Sequence, residues 1–216
     1  MVSINWKAVQ ARLHVTQDGI PGVKTFGALL RQPESVAQFF ADNWQRYNLT
    51  TPARLAEFIA QTGYETTDYT VWSEDLDYSA ERLVQVWPDR FPDVITASPY
   101  AHNPEALGNL VYGGRMGNIE SGDGYLFRGR GAIQLTGRTN YAAYAGPMRM
   151  DIVADPDLLA EPANGLLAAA LVWRYRSVNF YVDTCRFQRA RQVINGGLNG
   201  LAEITARRNQ MLEILS

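Results

Sequence analysis

The sequence predicts a mainly α-helical fold, with α+β as the furthest departure from it. Apolar residues recur at helical spacing through most of the chain, and Ser, Thr or Asn stands just before several of these segments, where helix N-caps are expected. Residues that favour strands occur only in short pieces. The chain has 216 residues, 46% of them hydrophobic and 19% charged, which is typical of globular proteins. We expect one domain, or one domain with a small appendage.

Two short helices are expected at the amino terminus. A turn at residues 19–22, with the sequence GIPG, separates two helical patterns within residues 5–30. Pro33 ends this part of the chain. We therefore divide the chain into a short helical segment, residues 1–33, and a main domain, residues 34–216.

The remaining helices are placed by their start signals and their apolar periodicity. Thr51, followed by proline, is an expected N-cap, Ser79 caps another helix, and Asn103 begins a third. The expected helices run over residues 34–47, 51–65, 79–86, 103–111, 164–176, 189–194 and 200–215. Residues 113–131 contain seven glycines and are expected to form loop or short strand. Residues 133–135 fit either a short strand or the start of a helix.

Composition excludes several classes of function. The formal net charge of −2 gives no overall positive field that would recruit nucleic acid. The single cysteine, Cys185, excludes an internal disulfide, and with only two histidines, His14 and His102, it leaves too few ligands for a zinc cluster. A carboxylate-rich metal site stays open by this count. We expect no metal and no cofactor.

The sequence also gives an expectation for cellular location. The amino terminus has no apolar stretch of signal-peptide length. The longest apolar run, residues 166–173, is far too short to span a bilayer. We expect the protein to be made and folded in a cytoplasm without membrane insertion, so that action elsewhere requires another factor.

The first candidate catalytic residue is Glu65, near the end of the expected helix 51–65. It borders the buried stripe of that helix, with Tyr64 before it and Tyr69 after it. A carboxyl group sheltered by aromatic and apolar groups is favoured in its protonated form, as a general acid near neutral pH requires. The alternative is an exposed glutamate at a helix end.

Glu74 follows nine residues later, in the sequence WSEDLDY. Two carboxylates separated by a short aromatic loop can face each other across a groove, and glycoside hydrolysis uses such a pair. The spacing does not fix the distance between the carboxyl groups, so it does not predict the stereochemical outcome. The alternative is a solvated acidic loop.

The third candidate site lies in residues 129–141, with the sequence GRGAIQLTGRTNY. Gln134 and Asn140 carry amides that can donate and accept at once, which suits N-acetyl and hydroxyl groups of a neutral sugar. Thr136 can hold a water molecule. Two glycines resemble part of a phosphate-binding loop, but glutamine replaces the third glycine and no lysine accompanies them, so a nucleotide site is disfavoured. A merely structural turn stays open.

Several other side chains receive mainly structural interpretations. Cys185 is expected to pack as a small apolar group. The arginines at positions 186, 189 and 191 are expected to form a solvated helix face rather than a partner site. The aromatic side chains that could stack on sugar faces are Trp72, Tyr78, Trp87 and Phe91, and Tyr78 is included among the candidate substrate-binding residues.

These residues belong to a longer series of motifs that occur in one order. The motifs cover residues 58–66 (FIAQTGYET), 74–83 (EDLDYSAERL), 103–107 (NPEAL), 112–118 (YGGRMGN), 122–131 (GDGYLFRGRG), 133–137 (IQLTG), 140–141 (NY) and 194–200 (INGGLNG). Together they resemble glycoside hydrolase family 19. The resemblance extends over about residues 35–212.

The resemblance implies a lysozyme-like, two-lobed helical fold with a substrate cleft, which cuts β-1,4 links next to N-acetylated sugars with inversion. It implies that Glu65 is the general acid, that Glu74 is the base that activates water, and that Thr136 helps to hold this water. The substrate-binding positions that the motifs imply are Gln134, Asn140, Tyr141 and Asn195. The family commonly has histidine immediately before the acid, where this chain has Tyr64. Glu120 is the second candidate for the base.

Within the family, the chain resembles phage and prophage endolysins. Residues 8–30 resemble a peptidoglycan-binding repeat, although a helical hairpin packed on the main domain is an equal alternative. We therefore expect a monomeric muramidase that cleaves bacterial peptidoglycan after a separate holin opens the membrane. The alternatives are a bacterial chitinase and a catalytically inactive sugar-binding protein.

Overall fold

The computed structural model describes residues 2–216, which form thirteen α-helices and two 3-10 helices. The α-helices are α1 (Trp6–Arg12), α2 (Val23–Leu30), α3 (Glu34–Asn43), α4 (Pro52–Glu65), α5 (Ala80–Val86), α6 (Val94–Ala97), α7 (Pro104–Tyr112), α8 (Asp123–Leu126), α9 (Arg138–Met148), α10 (Pro162–Tyr175), α11 (Val178–Asp183), α12 (Phe187–Asn195) and α13 (Leu201–Leu215). The 3-10 helices are Ser98–Tyr100 and Pro156–Ala160. In the described chain, β-pairing is limited to isolated bridges from Arg130 to Ser73 and to Leu135. The predicted mainly α-helical fold is confirmed.

The predicted helix starts follow from side-chain capping. Thr51, Ser79 and Asn103 each accept a hydrogen bond from the backbone N–H three residues later, at 3.3, 3.3 and 3.2 Å. Each bond satisfies one of the N–H groups that lack a partner in the first turn of a helix. Of the helices that residues 2–216 form, none has both the length and the apolar character needed to cross a bilayer.

The chain divides into two compact units. The first contains the described residues up to Trp72 together with residues 131–133 and 159–216. Helix α4 is almost entirely buried in this unit and packs against α13. In its core, the rings of Phe58 and Trp173 meet edge to face, with their centroids 5.2 Å apart.

The second unit contains residues 73–130 and 134–158. Its core is an apolar cluster to which α5, α7 and the loops around them contribute Leu76, Leu83, Phe91, Leu107 and Val111. A partly buried ion pair joins α8 to α9, because Arg138 donates to both carboxylate oxygens of Asp123, at 2.8 and 2.5 Å.

The amino-terminal segment packs within the first unit. The ring of Trp6 lies 5.4 Å from that of Phe26, which in turn stacks on Phe40 at 5.7 Å. Arg12 donates to the carbonyl of Ile214 at 2.8 Å. These contacts join residues 2–33 to residues that follow them in the chain. The domain boundary at residue 33 stays a prediction.

Several expectations about individual elements were wrong. The helix that begins at Glu34 ends at Asn43 rather than near residue 47. Helices α6, α9 and α11 were not predicted, and neither was α8, which lies within residues 113–131 that were expected to form loop or short strand. Cys185 is exposed, since it lies in the short connection between α11 and α12 with φ of 56° rather than in the core. Phe91 is only 1% exposed, and it packs in the core where it cannot stack on a sugar.

Candidate active site

Glu65 is the last residue of α4 and belongs to the first unit. Its side chain is 13% exposed and lies against Arg191 of α12, whose Nη1 donates to Oε1 of Glu65 at 2.5 Å. Nδ2 of Asn195 donates weakly to the same oxygen at 3.4 Å. The candidate acid is thus largely buried, and its hydrogen-bond partners are a guanidinium and an amide.

The position of Arg191 corrects the expectation that it belongs to a solvated helix face. Its side chain is 1% exposed. Besides its bond to Glu65, it donates from Nε to the carbonyl of Asn199 at 2.8 Å, and its guanidinium lies 5.4 Å from the ring centroid of Tyr64. The sequence contained one usable signal, because Arg191 precedes Asn195 by four residues on a helix and therefore shares its face.

Glu74 belongs to the second unit and is held by neutral donors. Oε1 accepts a 2.6 Å hydrogen bond from the hydroxyl of Tyr112, and Oε2 accepts one from the backbone N–H of Gly129 at 3.2 Å. The N–H of Glu74 donates to the carbonyl of Gly129 at 2.8 Å. Burial raises the pKa of the Tyr112 hydroxyl, and the hydrogen bond to Glu74 raises it further, so this hydroxyl stays a donor at neutral pH.

Three candidate side chains of the second unit converge on the backbone of Gly129. A Cβ placed on this glycine would lie 2.8 Å from Oε1 of Gln134 and 3.4 Å from both Oε2 of Glu74 and Oγ1 of Thr136. A side chain at position 129 would therefore collide with Gln134, and it would occupy the space that the three oxygens face. Sequence reasoning did not single out Gly129 or Tyr112, although both lie within the family motifs.

Local hydrogen bonds fix the segment that carries Gln134 and Thr136. Gln134 has a left-handed backbone, with φ of 53°, a conformation that costs energy for a residue other than glycine and is common at functional sites. Oγ1 of Thr136 donates to the carbonyl of Gln134 at 2.9 Å, and Nδ2 of Asn140 donates to the carbonyl of Thr136 at 2.7 Å. The amide of Asn140 thus orients the threonine that is predicted to hold water.

The remaining predicted site residues have different surroundings. Tyr141 is fully buried, and its hydroxyl donates to the carbonyl of Arg128 at 2.8 Å and accepts from Arg130 at 3.1 Å. Tyr78 is half-buried with its ring 5.5 Å from that of Trp87. The side chain of Glu120 is exposed. That Tyr141 contacts substrate stays a prediction, but its hydroxyl is already engaged in supporting the loop that contains Gly129.

The two carboxylates therefore have surroundings of different chemistry. Glu65 faces a guanidinium, whereas Glu74 accepts hydrogen bonds, within residues 2–216, only from a tyrosine hydroxyl and a backbone N–H. The hydroxyl of Thr136, which lies near the same glycine as Glu74, is a group that can position a water molecule. Inverting glycoside hydrolases use two carboxyl groups, one that protonates the leaving oxygen and one that activates water.

The helical fold and the pair of carboxyl sites are typical of a glycoside hydrolase, and the comparison with known sequences agrees. No protein-family model matches the chain. A Haemophilus influenzae protein described as a glycosyl hydrolase family 19 domain-containing protein is 37% identical over 150 residues, which make up 68% of this chain and 73% of that protein. The chain belongs to glycosyl hydrolase family 19, and it is a glycoside hydrolase.

More distant relatives are chitinases. Endochitinase 1 of Theobroma cacao is 28% identical over 76% of this chain, and endochitinase 2 of Gossypium hirsutum is 26% identical over the same share. The chain spans about half the length of these two endochitinases, with 46% and 49% of them matched. Among solved structures, chitinase C from Streptomyces griseus matches with a TM-score of 0.58 and 15% identity, covering 91% of this chain and 92% of that one. A bacterial family 19 chitinase gives a TM-score of 0.57 at 16% identity. These two structural matches show a common fold.

Proposed function

We propose that this protein is an endolysin that hydrolyses the β-1,4-glycosidic bonds of bacterial peptidoglycan as an inverting N-acetylmuramidase. The observation that carries its chemistry is the convergence of Glu74, Thr136 and Gln134 on the backbone of Gly129. This grouping favours Glu74 over Glu120 as the base. Glu65, sheltered at the end of α4, is the proposed acid.

In the proposed reaction, Glu65 gives its proton to the oxygen that bridges two sugars, and the bond from this oxygen to the anomeric carbon breaks. A water molecule held by Thr136 attacks the same carbon from the opposite face and gives a proton to Glu74, which inverts the configuration. The amides of Gln134 and Asn195 are suited to hydroxyl and N-acetyl groups of the substrate. Each proton transfer contributes a factor of about 10²–10⁴ to the rate.

The proposal of peptidoglycan as substrate depends on the resemblance of residues 8–30 to a wall-binding repeat. In this segment, the fully buried amide of Gln10 accepts from the N–H of Gly19 at 2.8 Å and donates to Asp18 at 2.7 Å. These bonds give the turn between α1 and α2 a fixed conformation, which a recognition loop requires. We further propose that the enzyme works as a monomer and reaches the wall through a membrane opened by a separate holin.

The test uses purified sacculi and maps the reducing ends that are released. Muramic acid at the new reducing ends is expected from the wild type. Glu65→Gln and Glu74→Gln should each reduce the rate by at least about 10²-fold, whereas Glu105→Gln, an exposed position on α7, should leave it unchanged. Release of N-acetylglucosamine ends, or no release by the wild type, would contradict the muramidase assignment.

A chitinase is the second candidate, because relatives named endochitinases match three quarters of the chain. It predicts that chitin oligomers are cut while sacculi are not, so the same preparation tested on both substrates separates the two functions. If the protein is instead a catalytically inactive sugar-binding protein, Glu65→Gln should change the result with neither sacculi nor chitin oligomers.

A further inference from the structure

The first unit contains a cavity of about 520 Å³ beside the start of α4, away from the residues of the proposed chemistry. Its charged lining residues are Arg46, Arg54, Arg174 and Asp183. Arg54 donates to both carboxylate oxygens of Asp183, at 2.8 and 2.5 Å. These two charges neutralise each other, so the positive charge of the other two arginines is not compensated within the cavity.

Arg46 and Arg174 are both exposed, and neither forms an ion pair with any carboxylate of residues 2–216. Both lie close enough to Tyr47 to affect its hydroxyl: burial raises the pKa of this tyrosine, and the two positive charges oppose that rise. Arg46, Tyr47 and Arg174 line the same cavity, and the guanidinium of Arg46 lies 5.7 Å from the ring centroid of Tyr47. Arginine is weakly hydrated and binds carboxylates through paired N–H donors, which makes this cavity suited to an anion.

The lining of the cavity also includes an apolar ring and a hydrogen-bonded amide, from Phe180 and Asn179. The ring of Phe180 is 54% exposed. Asn179 is fixed at both ends, since it accepts from Nε1 of Trp173 at 2.8 Å and donates to the carbonyl of Asn48 at 3.1 Å. A ligand that combines carboxylates with small apolar groups fits this lining better than a neutral sugar does.

We propose that the cavity binds the carboxylates of a peptidoglycan peptide stem, so that the enzyme recognises the peptide as well as the glycan. This inference rests on the proposed function. Arg54 and Glu65 are eleven residues apart on α4, which corresponds to about 16 Å along the helix axis. Eleven residues make three full turns and about 20° more, so the two side chains start from the same face of the helix. An extended stem of four residues spans roughly 14 Å, which is comparable with this separation, so the far end of a stem attached to a sugar at Glu65 would lie near this end of the helix.

The direct test is calorimetric titration of the intact protein with the free tetrapeptide L-Ala-γ-D-Glu-meso-diaminopimelate-D-Ala. We expect binding to the wild type, binding at least roughly tenfold weaker to the double variant R46Q/R174Q, and unchanged binding to R149Q/R189Q, which removes two exposed arginines elsewhere. A second titration of the same proteins uses inorganic phosphate, at equal ionic strength, in place of the peptide. Equal binding by all three proteins, or phosphate binding as tight as peptide binding, overturns the proposal.

Activity on two forms of the glycan separates this proposal from the proposed function. Wild type should cut peptide-bearing strands at least roughly tenfold faster, in kcat/KM, than strands stripped of peptide by an amidase. R46Q/R174Q should lose this preference and keep the rate on stripped strands. If neither strand is cut while the peptide binds as expected, the muramidase function is wrong and the cavity assignment stands. If both strands are cut equally by the wild type, the cavity assignment is wrong.

Discussion

At the scale of single residues, the hydroxyl of Tyr112 determines how the candidate base is held. It donates to Oε1 of Glu74 at 2.6 Å and stays protonated at neutral pH because burial raises its pKa. Tyr112→Phe removes only this donor, and a hydrogen bond to a charged group is worth about 1.5–3 kcal/mol. We expect kcat on sacculi to fall about 10- to 100-fold with little change in KM. Tyr100→Phe, in the same unit, is the control, and equal rates for the two variants would show that Tyr112 does not position the base.

Arg191 plays the corresponding part for Glu65, and it also holds the chain after α12 through the carbonyl of Asn199. Arg191→Met leaves a largely buried carboxylate without its partner. Because removing one member of a buried charge pair is strongly destabilising, we expect the free energy of unfolding to fall by about 2–4 kcal/mol. Urea titrations measure this loss, and the double variant E65Q/R191M should recover part of it. A full additive loss in the double variant would argue against a direct interaction.

Individual site residues could be predicted from the sequence only where a local motif contains them. Glu65, Glu74 and Thr136 could be proposed from motifs because each lies in a short run of recognisable residues. Arg191 was misassigned because Arg186 and Arg189 beside it are exposed, whereas contacts with distant residues, including Glu65 126 positions away, surround Arg191. Tyr112 was missed for the same physical reason: its partner lies 38 residues earlier in the chain.

At the scale of elements, the ion pair between Asp123 of α8 and Arg138 of α9 predicts a pH dependence of stability. The hydrogen bond from Arg138 holds the pKa of Asp123 below its usual range. The pair therefore contributes stability above the ordinary pKa of aspartate, and this contribution is lost as the pH falls through the lowered pKa of the folded state. Asp123→Asn should cost about 2 kcal/mol at pH 7.

Urea unfolding of the wild type and Asp123→Asn, followed from pH 7 to about pH 2, tests whether the stability contributed by this pair decreases as the pH falls. The difference between the two proteins should narrow steadily below about pH 4. Glu105→Gln, at an exposed position, is the control for general acid destabilisation. A difference that stays constant over the whole range would mean that the Asp123–Arg138 pair is not what the substitution removes.

Prediction of elements succeeded where a local signal existed and failed where none did. The helices at Thr51, Ser79 and Asn103 were found because a capping side chain marks each start. Helix α9 was missed because it contains Pro147 and a glycine before it, and its apolar residues form no clear stripe. Its amino-terminal end is fixed instead by a distant contact, since the N–H of Arg138 donates to the side chain of Asn118 at 2.8 Å.

At the scale of the whole molecule, the order of the motifs identified the family, whereas the grouping of the chain into units could not be read from it. Residues 131–133 belong to the first unit although the residues on both sides of them belong to the second. The catalytic candidates are correspondingly divided, with Glu65 in one unit and Glu74 in the other. Such an arrangement depends on packing between distant segments, which periodicity and capping signals do not encode.

The place of residues 1–33 in the molecule can be tested by removing them. Phe26 is fully buried and stacks on Phe40, and Trp6 meets Trp44 edge to face at 5.2 Å, so a chain of residues 34–216 would expose aromatic surface of the first unit. Loss of a buried phenylalanine alone costs about 3–5 kcal/mol. We therefore expect the shortened chain to melt at least about 10 °C lower.

Phe26→Ala in the full chain separates packing from wall binding. If packing is the main role of the segment, this variant should reproduce most of the loss in Tm while it still sediments with sacculi. A shortened chain that melts like the wild type, but no longer sediments with sacculi, would instead identify residues 1–33 as an independent wall-binding module. Because the two roles change different measurements, the pair of variants assigns the segment to the folding of the first unit, to substrate binding, or to both.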